Sequence, residues 1–278
     1  MSMRPQKRFA QHWLKSEKAL QEIITAAQLS PEDVVLEIGP GTGILTKELL
    51  KTVKKVSAIE LDQALMKHLQ EKFRQKDNLI LIQGDFLKLE LESILREKPN
   101  KVVANIPYNI TGPILEKLLG SIAEPNRKYD RIILLVQKEI AERICAESGS
   151  KTFGALSVRT QYLAECELIS LVPAKAFSPP PKVDSAIISL TPRVFPQSAT
   201  SPKLLEKLVK LGFANRRKML RNNLKSVISP EELETILKKL EISSMVRAEA
   251  ISVFDWVRLA NCVELRIPSR IRYKHSST

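Results

Sequence analysis

Three glycines at alternate positions, Gly39-Pro40-Gly41-Thr42-Gly43, follow directly on a short apolar segment and lead directly into a helical pattern. Glycine tolerates backbone conformations that other residues avoid, so such a run lets a strand turn sharply into a helix and brings a ligand close to the main chain. This junction narrows the fold more than any other feature. The segment before it spans residues 34–38, and similar runs rich in Val, Ile and Leu fall at 56–60, 79–83, 102–105 and 132–136. Helical patterns at 44–52, 63–74 and 113–119 separate them. Strands alternating with helices predict an α/β domain on a mainly parallel, doubly wound sheet. Two later runs, 167–172 and 186–190, flank a proline-rich loop and are expected to form an antiparallel pair at the sheet edge.

Residues 191–202 carry three prolines with Ser and Thr, and read as a linker. Only helical patterns follow, at 204–213, 217–227, 231–240 and 253–263. The expected organisation is a catalytic domain over 1–192 and a small all-helical domain over 193–278, ending in a basic tail. The chain has a formal net charge of +13. Residues 201–278 supply most of the excess, with sixteen Lys/Arg against eight Asp/Glu. That favours a polyanionic partner. The longest apolar run, 132–136, is far too short to cross a bilayer, and no apolar signal core follows the basic N-terminus. Cys145, Cys166 and Cys262 are odd in number and scattered, so they are expected to be reduced and mostly buried. His12, His68 and His275 show no ligand spacing, and no metal site is expected. A cytoplasmic monomer is the default expectation.

Four motifs stand at the ends of four successive predicted strands. The first is the glycine turn, with Gly39 and Gly41 nearest the strand. In open α/β sheets, ligands bind beyond the carboxyl ends of the strands, where strand order reverses. Glu60 ends the second strand, about twenty residues on, where an acidic side chain accepts hydrogen bonds from ribose hydroxyls. A dinucleotide site would need a third glycine at position 44, which is Ile44. A methyl donor has no pyrophosphate and does not need it. Asp85 follows the third strand and can accept an adenine amine. The fourth strand ends in Asn105-Ile106-Pro107-Tyr108.

This last motif suits methylation of an amino group. An adenine exocyclic amine is a poor nucleophile, because its lone pair is delocalised into the ring. Positioning and electrostatics must then supply the catalysis. The Asn105 side-chain oxygen and the Ile106 carbonyl can accept the two amine hydrogens and aim the nitrogen. Pro107 stiffens the turn, and Tyr108 can stack on an extruded base.

With these motifs the chain resembles KsgA-type small-subunit ribosomal RNA adenine dimethyltransferases. The similarity runs from Lys7 to about Leu265. It is carried by Lys7-Arg8-Phe9-Ala10-Gln11-His12-Trp13-Leu14, the glycine turn, Asn105–Tyr108 and Phe177-Ser178-Pro179-Pro180-Pro181-Lys182-Val183-Asp184-Ser185. The resemblance implies a Rossmann-like, class I S-adenosylmethionine-dependent methyltransferase domain. It implies donor contacts from His12, Leu14, Gly39, Glu60, Asp85 and Asn105, and base stacking by Tyr108 and Phe177. The implied substrate is two adjacent adenosines in a hairpin loop near the 3′ end of 16S rRNA, each dimethylated, within an immature small ribosomal subunit. Members usually carry Asn-Phe where this chain has His12-Trp13.

The stretch 213–221 reads as a basic helix with Arg217 and Arg221 one turn apart. Arg216, Arg217, Lys218 and Arg221 are the expected phosphate contacts. Two other readings stay open: an adenine methyltransferase of large-subunit RNA, and a non-catalytic ribosome-assembly factor with a relic donor pocket.

Overall fold

The structure is a computed structural model and describes residues 11–266. It divides into two compact units. The first comprises residues 11–119, Asn126–Glu142 and Glu165–Pro192. The second comprises Gly120–Pro125, Arg143–Ala164 and residues 193–266. Segments 120–125 and 143–164 thus belong to the helical unit, not to the catalytic domain in which the sequence reading placed them.

In chain order the first unit contains β1 (Trp13–Leu14), α1 (Glu17–Ala27), β2 (Val34–Ile38), α2 (Ile44–Leu49), β3 (Lys55–Glu60), α3 (Gln63–Lys72) and β4 (Leu79–Gln83). There follow α4 (Leu91–Ile94), β5 (Lys101–Asn105), α5 (Thr111–Leu119) and β6 (Arg131–Gln137). Next in the chain are α6 (Lys138–Ile144) and α7 (Ala155–Leu163), then β7 (Ala164–Val172), β8 (Phe177–Ser178) and β9 (Ser185–Pro192). Seven strands form one sheet in the order β4-β3-β2-β5-β6-β9-β7. The pairs from β4 through to β6 are parallel, and β9 runs antiparallel to β6. Strand order reverses between β2 and β5, which opens a crevice at their carboxyl ends. β1 and β8 make a separate two-stranded sheet, pairing Leu14 with Phe177.

Helices cover the sheet because their apolar residues recur at helical spacing. In α1 the buried residues are Ala19, Leu20, Ile23 and Ala27, and the Ser16 side chain caps the first turn by accepting from Ala19 N. β2 is buried along its whole length, as parallel strands covered on both faces are.

A buried polar knot joins the amino ends of β2 and β5, opposite the crevice. Asp33, 5% exposed, accepts from Lys101 Nζ and Asn100 Nδ2, each at 2.8 Å, and from Ser30 N at 2.6 Å. Asn100 Oδ1 accepts in turn from Val34 N at 2.9 Å. Burial by itself would raise the Asp33 pKa, but the hydrogen bonds from Lys101, Asn100 and Ser30 outweigh it and leave it lowered.

The second unit packs α7 with α8 (Pro202–Gly212), α9 (Leu220–Leu224), α10 (Pro230–Lys239) and α11 (Val253–Glu264). Leu205, Leu208, Leu224, Leu233 and Trp256, each fully buried, form its core. Ser229 and Glu232 form a capping box at the start of α10. The helix expected over 217–227 is only the five residues of α9; residues 214–219 are a loop. The physical reason is local hydrogen bonding. Asn215 Oδ1 accepts from Arg217 N at 3.2 Å, and Asn223 Nδ2 donates to the carbonyls of Gly212 and Asn215. The three cysteines are not joined in disulfides, and each is partly exposed rather than buried. No helix of the described residues is long and apolar enough to cross a membrane. The basic N-terminus to residue 10, His275 and the tail beyond residue 266 lie outside the described residues.

The polar knot is testable. Asp33 stabilises the fold above its ordinary pKa of about 4, and that contribution disappears as pH falls through its lower folded value. Asp33→Asn, which leaves Lys101 without its carboxylate, should lose about 3 kcal/mol near neutral pH. In denaturant unfolding across a pH series, the gap from wild type should close below about pH 4.

Candidate active site

The crevice at the reversal point is a cavity of about 390 Å³. Its floor is the glycine turn. Gly39, Gly41 and Gly43 have φ of +67°, +57° and +74°, in the left-handed region that favours glycine. A side chain at Gly43 would also collide with the Phe73 ring at 2.6 Å. The turn therefore puts bare backbone against the cavity.

Glu60, at the end of β3, is 6% exposed. Its Oε2 accepts from Gly41 N at 3.1 Å and its Oε1 from Asp62 N at 2.9 Å. Burial raises its pKa, partly offset by those backbone hydrogen bonds. Glu37 also lines the cavity, with 1% exposure and an Oε2 that has no partner. Burial drives its pKa up to about 8, with Glu60 adding to the rise; Thr46 and the Lys72 ammonium oppose it. Sequence reasoning did not single out Glu37 as a site residue. Its signal was present: a lone charged residue inside the apolar run 34–38. On the far wall, Asp85 accepts from Leu87 N at 3.0 Å and is half-buried.

Leu14 is buried and lines the cavity beside His12. The His12 carbonyl accepts from Asn105 Nδ2 at 3.4 Å, which leaves Oδ1 as the atom Asn105 still offers. The His12 ring turns the other way. Its Nδ1 donates to the Pro179 carbonyl at 2.8 Å, and the ring stacks on Tyr108 with centroids 5.9 Å apart and planes 19° from parallel. Main chain and ring of His12 thus join the Asn105–Tyr108 motif to the proline loop.

Asn105 closes β5, and Ile106, Pro107 and Tyr108 follow it along the same wall. Pro107 sits at φ −60° and starts a short 3-10 turn over Tyr108–Ile110. The Tyr108 hydroxyl is hydrogen-bonded to Ser185 Oγ at 2.5 Å, and burial raises its pKa. The ring is therefore held at both its edge and its face.

Phe177 departs from expectation. It is 1% exposed, belongs to the hydrophobic core and does not line the cavity. Pairing of β8 with β1 draws it inward, so it supports the site from beneath. Asp184 anchors the loop after it: its Oδ1 accepts from Ala174 N at 2.9 Å, and its carbonyl from Lys138 N at 3.0 Å. Arg216, Arg217, Lys218 and Arg221 belong to the second unit. The first three are exposed on the loop 214–219. Arg216 Nη2 donates to two backbone carbonyls, those of Lys151 and Phe153, at 2.8 and 2.9 Å.

The cavity fits a nucleoside carrying an amino-acid arm. It offers a backbone cradle closed to side chains, a buried carboxylate at a strand end, and a second buried carboxyl with one unpartnered oxygen suited to a cation.

Comparison with known proteins places this geometry. Residues 3–265 match the family described as ribosomal RNA adenine dimethylase. A relative from Trichormus variabilis, named ribosomal RNA small subunit methyltransferase A, is 59% identical over 265 residues, covering 93% of this chain and 98% of that protein. One of the same name from Acaryochloris marina is 53% identical, covering 96% and 99%. Among solved structures, a dimethyladenosine transferase from Plasmodium falciparum has a TM-score of 0.73 at 28% identity, covering 89% of this chain and 96% of that one. The 23S rRNA methyltransferase ErmE also has a TM-score of 0.73 at 28% identity, covering 91% and 99%. On a match that spans both units, the chain belongs to the ribosomal RNA adenine dimethylase family and is an S-adenosylmethionine-dependent methyltransferase.

Proposed function

We propose that the chain dimethylates the exocyclic amines of two adjacent adenosines in the hairpin loop near the 3′ end of 16S rRNA, acting on the small ribosomal subunit. One observation carries the chemistry: Asn105 is turned by the His12 carbonyl so that its Oδ1 remains as an acceptor beside the glycine cradle. The small-subunit target is supported by relatives of that name at 53–59% identity, against 28% for the large-subunit enzyme. The reading carries a cytoplasmic location, where small subunits mature, and gives the basic second unit the task of holding RNA.

In this reading Glu60 accepts the ribose hydroxyls of the donor, Asp85 accepts its adenine amine, and Gly39, Gly41, His12 and Leu14 present backbone to it. When bound, the donor supplies an electrophilic methyl group on a positively charged sulfur. Asn105 Oδ1 and the Ile106 carbonyl accept the two hydrogens of the target amine, which aims its lone pair into the cavity. Tyr108, braced by Ser185, supplies the stacking face for the extruded base. Glu37 holds a proton until a cation enters beside it.

Label transfer from the methyl donor to unmethylated small subunits tests the assignment. Wild type should label them, and Asn105→Ala should lose on the order of a hundredfold or more in rate. Tyr108→Phe keeps the ring and should retain most activity, whereas Tyr108→Ala should weaken substrate binding by about 1–3 kcal/mol. Equal labelling of large-subunit RNA would overturn the target.

Donor binding should also release a proton. With a pKa of about 8, Glu37 is mostly neutral at pH 7, and a neighbouring cation favours its ionised form. Affinity should therefore rise as pH climbs from 6 toward 8. Calorimetry in two buffers of different ionisation heat should give different apparent enthalpies for wild type and equal ones for Glu37→Gln.

A further inference from the structure

Arg216 is the first of three consecutive basic residues on an exposed loop, yet one terminal nitrogen of its guanidinium, Nη2, is committed to the protein. It donates to the carbonyls of Lys151 and Phe153, and so ties the loop 214–219 to the turn 147–153 of the same unit. Both segments rise from one aromatic base. Phe153 is 1% exposed and packs on Phe213 with ring centroids 6.3 Å apart, and Phe213 packs on the fully buried Trp256 at 5.8 Å. The fit is tight: a Cβ at Gly212 would come within 2.4 Å of the Trp256 ring.

Further hydrogen bonds hold each segment. Gly149, at φ +88°, donates its N–H to the Glu249 carbonyl at 2.7 Å, and Phe153 N donates to the Ser150 carbonyl at 3.3 Å. Asn223 holds the other loop through the carbonyls of Gly212 and Asn215. The two segments carry four basic side chains, Lys151, Arg216, Arg217 and Lys218, against the one acid, Glu147. Lys151, Arg217 and Lys218 are all exposed.

We propose that the turn 147–153 and the loop 214–219 form one preorganised platform for the RNA backbone. Lys151, Arg217 and Lys218 contact phosphates, and Arg216 is the internal strap that holds Lys151 in place. This rests on the ribosomal RNA reading above and adds to it a contact, Lys151, far from the basic run in sequence. It also moves Arg216 from ligand contact to positioning residue. An arginine suits the strap because both bonds come from Nη2, at the end of a side chain longer than lysine's, so a lysine ammonium falls short of the two carbonyls. Fixed side chains lose less freedom on binding, so a strapped loop binds a polyanion better than a loose one of equal charge.

Salt dependence gives a readout that depends on phosphate contacts and not on fold alone. Affinity for the small subunit is measured from 50 to 300 mM salt for wild type, Lys151→Ala, Arg216→Lys and the double variant. Each phosphate contact contributes about 0.7–0.9 to the slope of log affinity against log salt. Lys151→Ala, an exposed change expected to unfold at the wild-type temperature, should lower the slope by about that amount. Arg216→Lys conserves charge but breaks the strap, and should lower it by a similar amount. The double variant should then fall no further, because both changes remove the same contact. A wild-type slope for Lys151→Ala, or slope losses that add in the double variant, would overturn the platform. Label transfer by the wild type is scored separately, so a chain that methylates small subunits while Lys151→Ala binds normally keeps its function and loses the platform.

Discussion

The turn after β2 is the constraint on which the rest of the molecule depends. Three residues between Ile38 and Ile44 occupy left-handed backbone conformations, and all three are glycine. Any other residue there would carry strain, and at Gly43 a steric collision as well. The turn falls at the point where strand order reverses, so the chain leaves β2 and β5 in diverging directions and a crevice opens between them. The buried knot around Asp33 and Lys101 holds the same two strands together at their other ends. The sheet is thus closed at one end and open at the other, and the chemistry occupies the open end.

Electrostatics follows from that geometry. Glu37 and Glu60 lie on neighbouring strands, both nearly sealed from water; burial makes each harder to ionise, with Glu60 adding to the effect on Glu37 and Asp62 to that on Glu60. Glu60 is compensated by two backbone N–H groups that the glycine turn and the start of α3 present. Glu37 keeps an unpartnered oxygen, which makes it costly as a lone buried ion and favourable beside a cation. Catalysis at an amine needs acceptors more than a strong base, and the Asn105–Tyr108 wall supplies acceptors and a braced ring. His12 contributes to both halves, orienting Asn105 through its carbonyl and packing on Tyr108 through its ring.

Much of this was legible before any coordinates. The strands at 34–38 and 79–83 coincide with β2 and β4, and the other central strands differ by one or two residues, because buried β-branched runs bounded by turns are a strong local signal. The four motifs at strand ends were legible because each combines a residue type with a position. Helix α1 was missed, although Ser16 as cap and the spacing of Ala19, Leu20, Ile23 and Ala27 mark it. The helix expected over 217–227 was overextended, since basic residues with high helical propensity mask the asparagine hydrogen bonds that hold 214–219 as a loop.

The sequence by itself determined the alternation of strand and helix, the glycine turn and the amine-methylation motif, because each is set by residues close together in the chain. Tertiary structure alone decided that Phe177 is a core residue, that the His12 ring faces Tyr108 and Pro179, and that segment 143–164 belongs to the helical unit. It also decided that Arg216 serves the turn at Lys151. These four depend on partners 63 to 167 residues away or on how whole segments cluster, and no local pattern encodes which of several compatible surfaces a side chain will meet.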